Sequence, residues 1–236
     1  MLASRLLKEK VVRAASHLLE ASIEDIDVDA SRVFVVGTDR SITFRELAKA
    51  VYSEMGRLPA DVREELEVTK LYDPVFGTAT AATHIVALEV DPETYTVTID
   101  RYNVVEDCGR VINPAIVDGQ VHGAVAQGIG AALYEEVIYD ETGQILTASL
   151  IDYALPRAGD VPTINTQHLE VESPTTVGGF RGMGEGGTIG APAAIANALS
   201  DALASLDLEI FELPMTPERL FRLFETKSYR CNRGGA

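Results

Sequence analysis

Cysteine and histidine are scarce in this chain, and its basic residues are outnumbered. Two cysteines, Cys108 and Cys231, are too few for a disulfide framework or an iron–sulfur cluster. The four histidines (His17, His84, His122 and His168) are scattered, and no H-x-x-x-H or C-x-x-C pair offers a zinc site. A metal would have to arrive inside a cofactor. Lys and Arg total 20 against 36 Asp and Glu, a net charge of −16. A field of that sign repels nucleic acid and anionic membrane surfaces, so neither is expected as a partner, and its plainest consequence is solubility. No run of about twenty apolar residues is present to form a membrane span. The opening Met1-Leu-Ala-Ser-Arg-Leu-Leu-Lys lacks the apolar core and small-residue cleavage site of an export signal, which makes the cytoplasm the expected location.

What is present is enough for a core: 46% of the 236 residues are hydrophobic. Apolar positions predict a helix over residues 3–20, with Leu7, Val11, Ala14, Ala15 and Leu18 on one side. A β-branched run at 32–37 follows, and Thr43-Phe-Arg-Glu46 is a capping box opening a helix to about Tyr52. Residues 56–76, broken by Gly56, Pro59 and Pro74, read as a connector. Strands at 84–90 and 94–104 flank the turn Asp91-Pro92-Glu93, and a second hairpin is expected around Asp140–Gly143, between 137–139 and 144–149. Further strands are expected at 163–171 and 208–211, and a helix from Thr216 to about Phe224, with a frayed tail from Cys231. Mixed hairpins and packed helices give an α+β fold class. The expected division is 1–75, a helix-strand-helix segment with its connector, and 76–236.

Two stretches are out of the ordinary. Between the hairpins, Asn113–Glu136 reads as a helix started by Pro114. Gly119, Gly123, Ala126 and Gly130 make one stripe on it, although each glycine costs about 1 kcal/mol relative to alanine. A backbone or ligand is expected to approach that stripe closely. Gln127 lies in an otherwise mostly apolar line, 116-120-124-127-131-134, and is therefore expected to be a buried amide, satisfied by backbone or by the edge of a heterocyclic cofactor.

The second stretch is Gly178-Gly-Phe-Arg-Gly-Met-Gly-Glu-Gly-Gly187, leading into an alanine-rich helix over 188–204. Seven of the nineteen glycines lie between 178 and 190. The loop admits three readings. It can be a connector needing positive φ, or an anion site at a helix start, although it matches neither a P-loop nor a dinucleotide fingerprint. In the third reading Glu185, isolated between glycines where a flat ligand can approach the backbone, is a general base. Glu185 can equally be the cap of the following helix.

The stretch Asp107-Cys-Gly-Arg-Val-Ile-Asn-Pro-Ala-Ile-Val-Asp-Gly-Gln-Val-His-Gly-Ala-Val-Ala-Gln127-Gly-Ile-Gly-Ala-Ala-Leu-Tyr-Glu-Glu136 resembles a signature of the xanthine dehydrogenase and aerobic carbon monoxide dehydrogenase family. Gly182-Met-Gly-Glu185-Gly-Gly-Thr-Ile-Gly-Ala-Pro-Ala-Ala is similar to that family's catalytic loop, and Leu213-Pro-Met-Thr-Pro-Glu-Arg-Leu to its ending. The resemblance covers most of 75–225 and implies the carboxy-terminal part of a molybdopterin-binding large subunit. It implies Glu185 as catalytic base and Gln127 and Gly184 as cofactor contacts, with molybdenum held through molybdopterin or its cytosine dinucleotide form. Residues 76–236 would then be the molybdopterin-binding, catalytic-glutamate part. FAD and 2Fe-2S clusters would lie on partner subunits, and the remaining part of the molybdenum subunit on another chain or segment. The substrate would be a small molecule such as an aldehyde, an N-heterocycle or CO. Three departures stand out: the chain is far shorter than such a subunit, Arg181 stands where many relatives have lysine, and Tyr229-Arg-Cys231-Asn-Arg only faintly resembles a cysteine loop placed elsewhere in the carbon monoxide enzymes. The rival expectation is a non-catalytic remnant that scaffolds a hydroxylase complex.

Overall fold

The structure is a computed structural model describing residues 1–63, 65–73 and 78–233. The chain divides into two compact units, Met1–Pro74 and Val75–Ala236.

In the first unit, helix α1 (Leu2–Leu18) buries Val11, Val12, Ala14 and Ala15. It packs with a three-stranded antiparallel meander, β1 (Ile26–Val28), β2 (Arg32–Val35) and β3 (Ser41–Thr43). Period-two alternation places Val33 and Val35 inward. The capping box is present: Glu46 N–H donates to Thr43 Oγ1 at 3.2 Å, and Thr43 N–H to Glu46 Oε2 at 2.9 Å. It opens α2 (Phe44–Tyr52), which buries Leu47, Ala50 and Val51.

The second unit is built on a sheet in the order β4 (Ala81–Val90), β5 (Val97–Asp107), β6 (Ile164–Leu169). β4 and β5 form an antiparallel hairpin, whose turn is tied by Glu93 and Thr94 amides donating to Asp91 Oδ1. β6 runs parallel to β5, so the chain must cross over between them, and it does so through α3 (Pro114–Leu133). Asn113 caps α3 and Pro114 occupies its first turn. α4 (Gly186–Ala202) packs against both α3 and β4. Tyr102, Val121, Val125, Ile129, Ile195 and Leu199 meet in the core between them.

Two expected strand pairings do not form. At 208–211, Leu208 and Ile210 are buried in alternation, yet among the described residues no strand pairs with them; the Ile210 amide donates instead to Ser200 Oγ. Around Asp140–Gly143 the turn is made, but pairing stops at a single bridge, Tyr139–Ile145. The last helix, α5 (Pro217–Arg233), runs past the expected end. The side chain of Cys231 and residues 234–236, where a frayed tail was expected, lie outside the described residues, as do 64 and 74–76 of the expected connector and residue 77.

Candidate functional site

The glycine-rich loop is stitched into the end of the sheet as an irregular strand. On one side the Arg110 amide donates to Gly179 O at 3.1 Å and the Arg181 amide to Cys108 O at 2.9 Å. On the other, the Gly182 amide donates to Thr78 O and the Thr80 amide to Gly182 O. This seam leaves no room for side chains: a Cβ on Gly109, already at φ +67°, would stand 2.2 Å from Gly179 O. Arg181, the cation that departs from the family pattern, points into the seam. Its Nε donates to Val171 O and lies 3.7 Å from Asp107, so here it clamps the loop.

The loop delivers Glu185 to the amino-terminal cap position of α4. Its carbonyl accepts from the Thr188 and Ile189 amides at 2.8 and 3.0 Å, while its side chain makes no capping bond. The carboxylate is exposed and has no hydrogen bond or ion pair among the described residues. A capping role for this side chain is therefore not what the structure shows.

The first turn of α4 sits close against α3. A Cβ on Gly187 would meet Ala124 Cβ at 2.7 Å and Val121 O at 2.9 Å, and one on Gly128 would meet Ala191 Cβ at 2.5 Å. Thr188 Oγ1 donates to Ala124 O at 3.0 Å, and Gln120 Nε2 donates to Gly184 O at 2.7 Å. α3 thus holds the loop immediately before Glu185.

Two expectations for α3 need correction. The helix turns Val117, Val121, Ala124, Val125 and Gly128 inward, which leaves Gln127 exposed rather than buried. Of the stripe's glycines only Gly130 is crowded, by the Glu135 side chain and Pro156; the close approach to α4 is at Gly128, against Ala191, and at Ala124, against Gly187, whereas Gly119 and Gly123 face open space. Sequence periodicity finds a stripe but not which side of it the neighbouring helix will take. Gln127 lies seven residues from Gln120, on the same face and about 10 Å further along the axis. Its amide makes no hydrogen bond among the described residues. Gly184 and Glu185 are brought together by the loop, and the tie to α3 is made by Gln120, which sequence reasoning missed.

Beneath this surface lies a buried carboxylate that was also missed. Glu106 is 1% exposed, and a Cβ on Gly186 would stand 2.6 Å from its Oε1. Burial pushes its carboxyl above the usual range, opposed by the Thr80 hydroxyl and by His168. The signal was in the strand: period two puts Glu106 on the inward face with Tyr102 and Val104. Beside it, burial lowers the His84 imidazole and raises the Tyr102 phenol, which share a 2.9 Å hydrogen bond.

Among the described residues, no cluster of His, Cys, Asp or Glu offers a metal site, and no helix is long and apolar enough to cross a membrane. The exposed surface instead presents a ledge without side-chain bulk at Gly184, where a Cβ would meet nothing within 4 Å, and a free carboxamide at Gln127. Open space beside Gly184 leaves room for a flat group, and the Gln127 carboxamide keeps both a donor and an acceptor for a polar edge.

Comparison with known proteins places the chain in a family. A family model described as a molybdopterin cofactor-binding domain matches residues 1–162. The nicotine 6-hydroxylase large subunit of Paenarthrobacter nicotinovorans is 39% identical over 92% of the chain, and the carbon monoxide dehydrogenase large chain of Afipia carboxidovorans 33% identical over 94%. Each alignment covers 27% of the relative, so the chain spans about a quarter of the length of these curated relatives. The crystal structure of quinoline 2-oxidoreductase from Pseudomonas putida 86 superposes on 94% of the chain and 28% of its own, with TM-score 0.82 and 43% identity.

Proposed function

The chain belongs to the molybdopterin cofactor-binding domain family of xanthine dehydrogenase- and carbon monoxide dehydrogenase-type large subunits, and on that premise we propose that it supplies the general base and part of the cofactor surface of a molybdenum-dependent hydroxylase. When bound, the molybdenum–molybdopterin group supplies the two-electron oxidation. Glu185 accepts the proton released as the substrate carbon is hydroxylated. Gln127 and the backbone at Gly184 orient the cofactor edge, and Gln120 keeps the loop in place through its bond to the Gly184 carbonyl. The observation that carries this reading is the Glu185 carboxylate: it stands at a rigidly held helix start, caps nothing, and has no counter-ion among the described residues.

The substrate class we propose is an N-heterocycle. The relatives named for nicotine and quinoline are 39% and 43% identical to the chain, against 33% for the carbon monoxide enzyme. The remaining part of the molybdenum subunit, an FAD subunit and an iron–sulfur subunit complete the proposed assembly and carry electrons away.

The test is Glu185→Gln in the complex reconstituted with those partners. General-base catalysis contributes about 10²–10⁴-fold, so turnover should fall by that factor while molybdenum content stays at the wild-type level. Undiminished turnover would leave a structural scaffold as the role of this chain.

A further inference from the structure

Two glycines of α4, Gly186 and Gly190, lie four residues apart on one helix face, the face turned to the sheet. A Cβ on Gly186 would stand 2.6 Å from Glu106 Oε1 and 2.9 Å from Thr80 Cγ2. One on Gly190 would stand 2.5 Å from His84 Cδ2, 2.7 Å from Nε2 and 3.0 Å from Cγ. The helix backbone therefore rests on the edge of the imidazole, with no side chain between them. Glycine is a poor residue inside a helix, so this closeness lowers the helix's own stability.

The ring is not free to yield. His84 stands opposite Val104 in the β4–β5 register, which makes the fully buried Tyr102 its diagonal neighbour on the inward face. The two rings meet edge to face at 89°, and His84 Nδ1 lies 2.9 Å from the Tyr102 hydroxyl. That nitrogen is the hydroxyl's one partner among the described residues. Swinging the imidazole aside would strand a buried phenol.

The hydrogens follow from the same inventory. Burial raises the Tyr102 phenol, so it keeps its proton, and that proton needs an acceptor. Nδ1 accepts only when it carries no hydrogen itself. Burial also lowers the imidazole, which is therefore neutral at neutral pH and carries its single hydrogen on Nε2. Nε2 is buried and closes no hydrogen bond among the described residues, yet the Gly186 carbonyl acts on the ring in the sense that favours a hydrogen. The N–H edge of His84 thus faces the first turn of α4.

We propose that His84 is a positioning residue: fixed by Tyr102 as the Nε2–H tautomer, its imidazole is the seat on which the Gly186–Gly190 turn rests, and it thereby sets where Glu185 stands. On its other flank the turn is held by α3, with Gly187 against Ala124 and Ala191 against Gly128. The bearing of the seat on catalysis rests on Glu185 being the base; the seat itself does not.

Melting of the full chain tests the seat. Gly190→Ala should lower the melting temperature although alanine is the better helix former, because its methyl meets the ring. In a His84→Ala background the space is open, so adding Gly190→Ala should raise it. An equal effect of Gly190→Ala in both backgrounds would overturn the contact. Nitrogen-15 NMR of the wild-type chain tests the tautomer without any variant. At neutral pH His84 should show a protonated Nε2 and an Nδ1 that accepts a hydrogen bond; the opposite tautomer, or a charged ring, would overturn the assignment. In the reconstituted complex, His84→Ala should lower kcat per bound molybdenum by about tenfold to a hundredfold through misplacement of Glu185. His84→Gln, whose amide can present a donor to the same turn, should recover most of it. Wild-type kcat in His84→Ala would overturn the positioning role. Should that variant fail to fold, Gly190→Ala carries the activity test, with the same loss expected and wild-type kcat the overturning result. Should Glu185→Gln remain active, the base reading fails, while melting and NMR still decide the seat.

Discussion

Glu185 and Glu106 lie on either side of the same backbone turn in opposite surroundings. Glu185 is exposed and uncommitted, whereas Glu106 is sealed beneath Gly186 with one oxygen unpaired. The buried one has a consequence for stability. Because burial raises its folded-state value, Glu106 is neutral in both folded and unfolded chains below the ordinary glutamate range and makes no pH-dependent contribution there. As pH rises through the unfolded and then the folded value, ionisation favours the unfolded chain and stability is lost. Glu106→Gln cannot ionise, so its melting temperature relative to wild type should climb as pH rises from the ordinary glutamate range through the raised folded-state value. A difference that stays constant across that interval would show that Glu106 titrates alike in both states.

Elements whose cause is local were legible in the sequence. The Thr43–Glu46 box starts α2 at Phe44, Asn113–Pro114 starts α3, and Asp91 makes the β4–β5 turn, each through groups within a few residues of one another. The box supports a quantitative expectation: Thr43→Ala removes the bond to the Glu46 amide and should lower stability by about 1 kcal/mol, read as a shift in the denaturant midpoint at unchanged slope. What the sequence did not disclose depends on distant neighbours. Leu208 and Ile210 alternate like a strand, but among the described residues no strand pairs with them. Gln127 falls outside because α4 packs over Gly128 instead. The site itself was partly legible. Glu185 and Gly184 stand out by the glycines around them, whereas Gln120 and His84 act through contacts 64 and 18 residues away in sequence. Glu106 continues the inward period of Tyr102 and Val104 and was overlooked because the expected strand stopped at 104, three residues short of the observed end.

At the scale of the molecule, the surroundings of Glu185 carry apolar surface that this chain does not cover. Ile116 is 68% exposed one turn before Gln120 on the same face of α3, and Ile189 is 73% exposed one turn beyond Glu185. Ile112 flanks them at 76%. Large apolar side chains gathered at the rim of a site, rather than scattered singly, mark an interaction surface. Roughly three-quarters of each relative lies outside the aligned part, since the match covers 27% of it. We predict that the remaining part of the molybdenum subunit, co-expressed with this chain, binds over Ile116 and Ile189. Both the net charge of −16 and the apolar rim bear on how that contact behaves. Salt screens charge and leaves hydrophobic burial in place, so the complex should survive about 1 M salt, where the screening length is about 3 Å. Ile116→Asp removes a side chain whose burial is worth about 1.5–3 kcal/mol, so it should weaken association by about tenfold to a hundredfold while leaving the chain's own melting temperature nearly unchanged. Size-exclusion chromatography with a titration of binding decides it: full affinity in I116D, or dissociation of the wild-type complex at high salt, would place the contact elsewhere and leave the apolar rim unexplained.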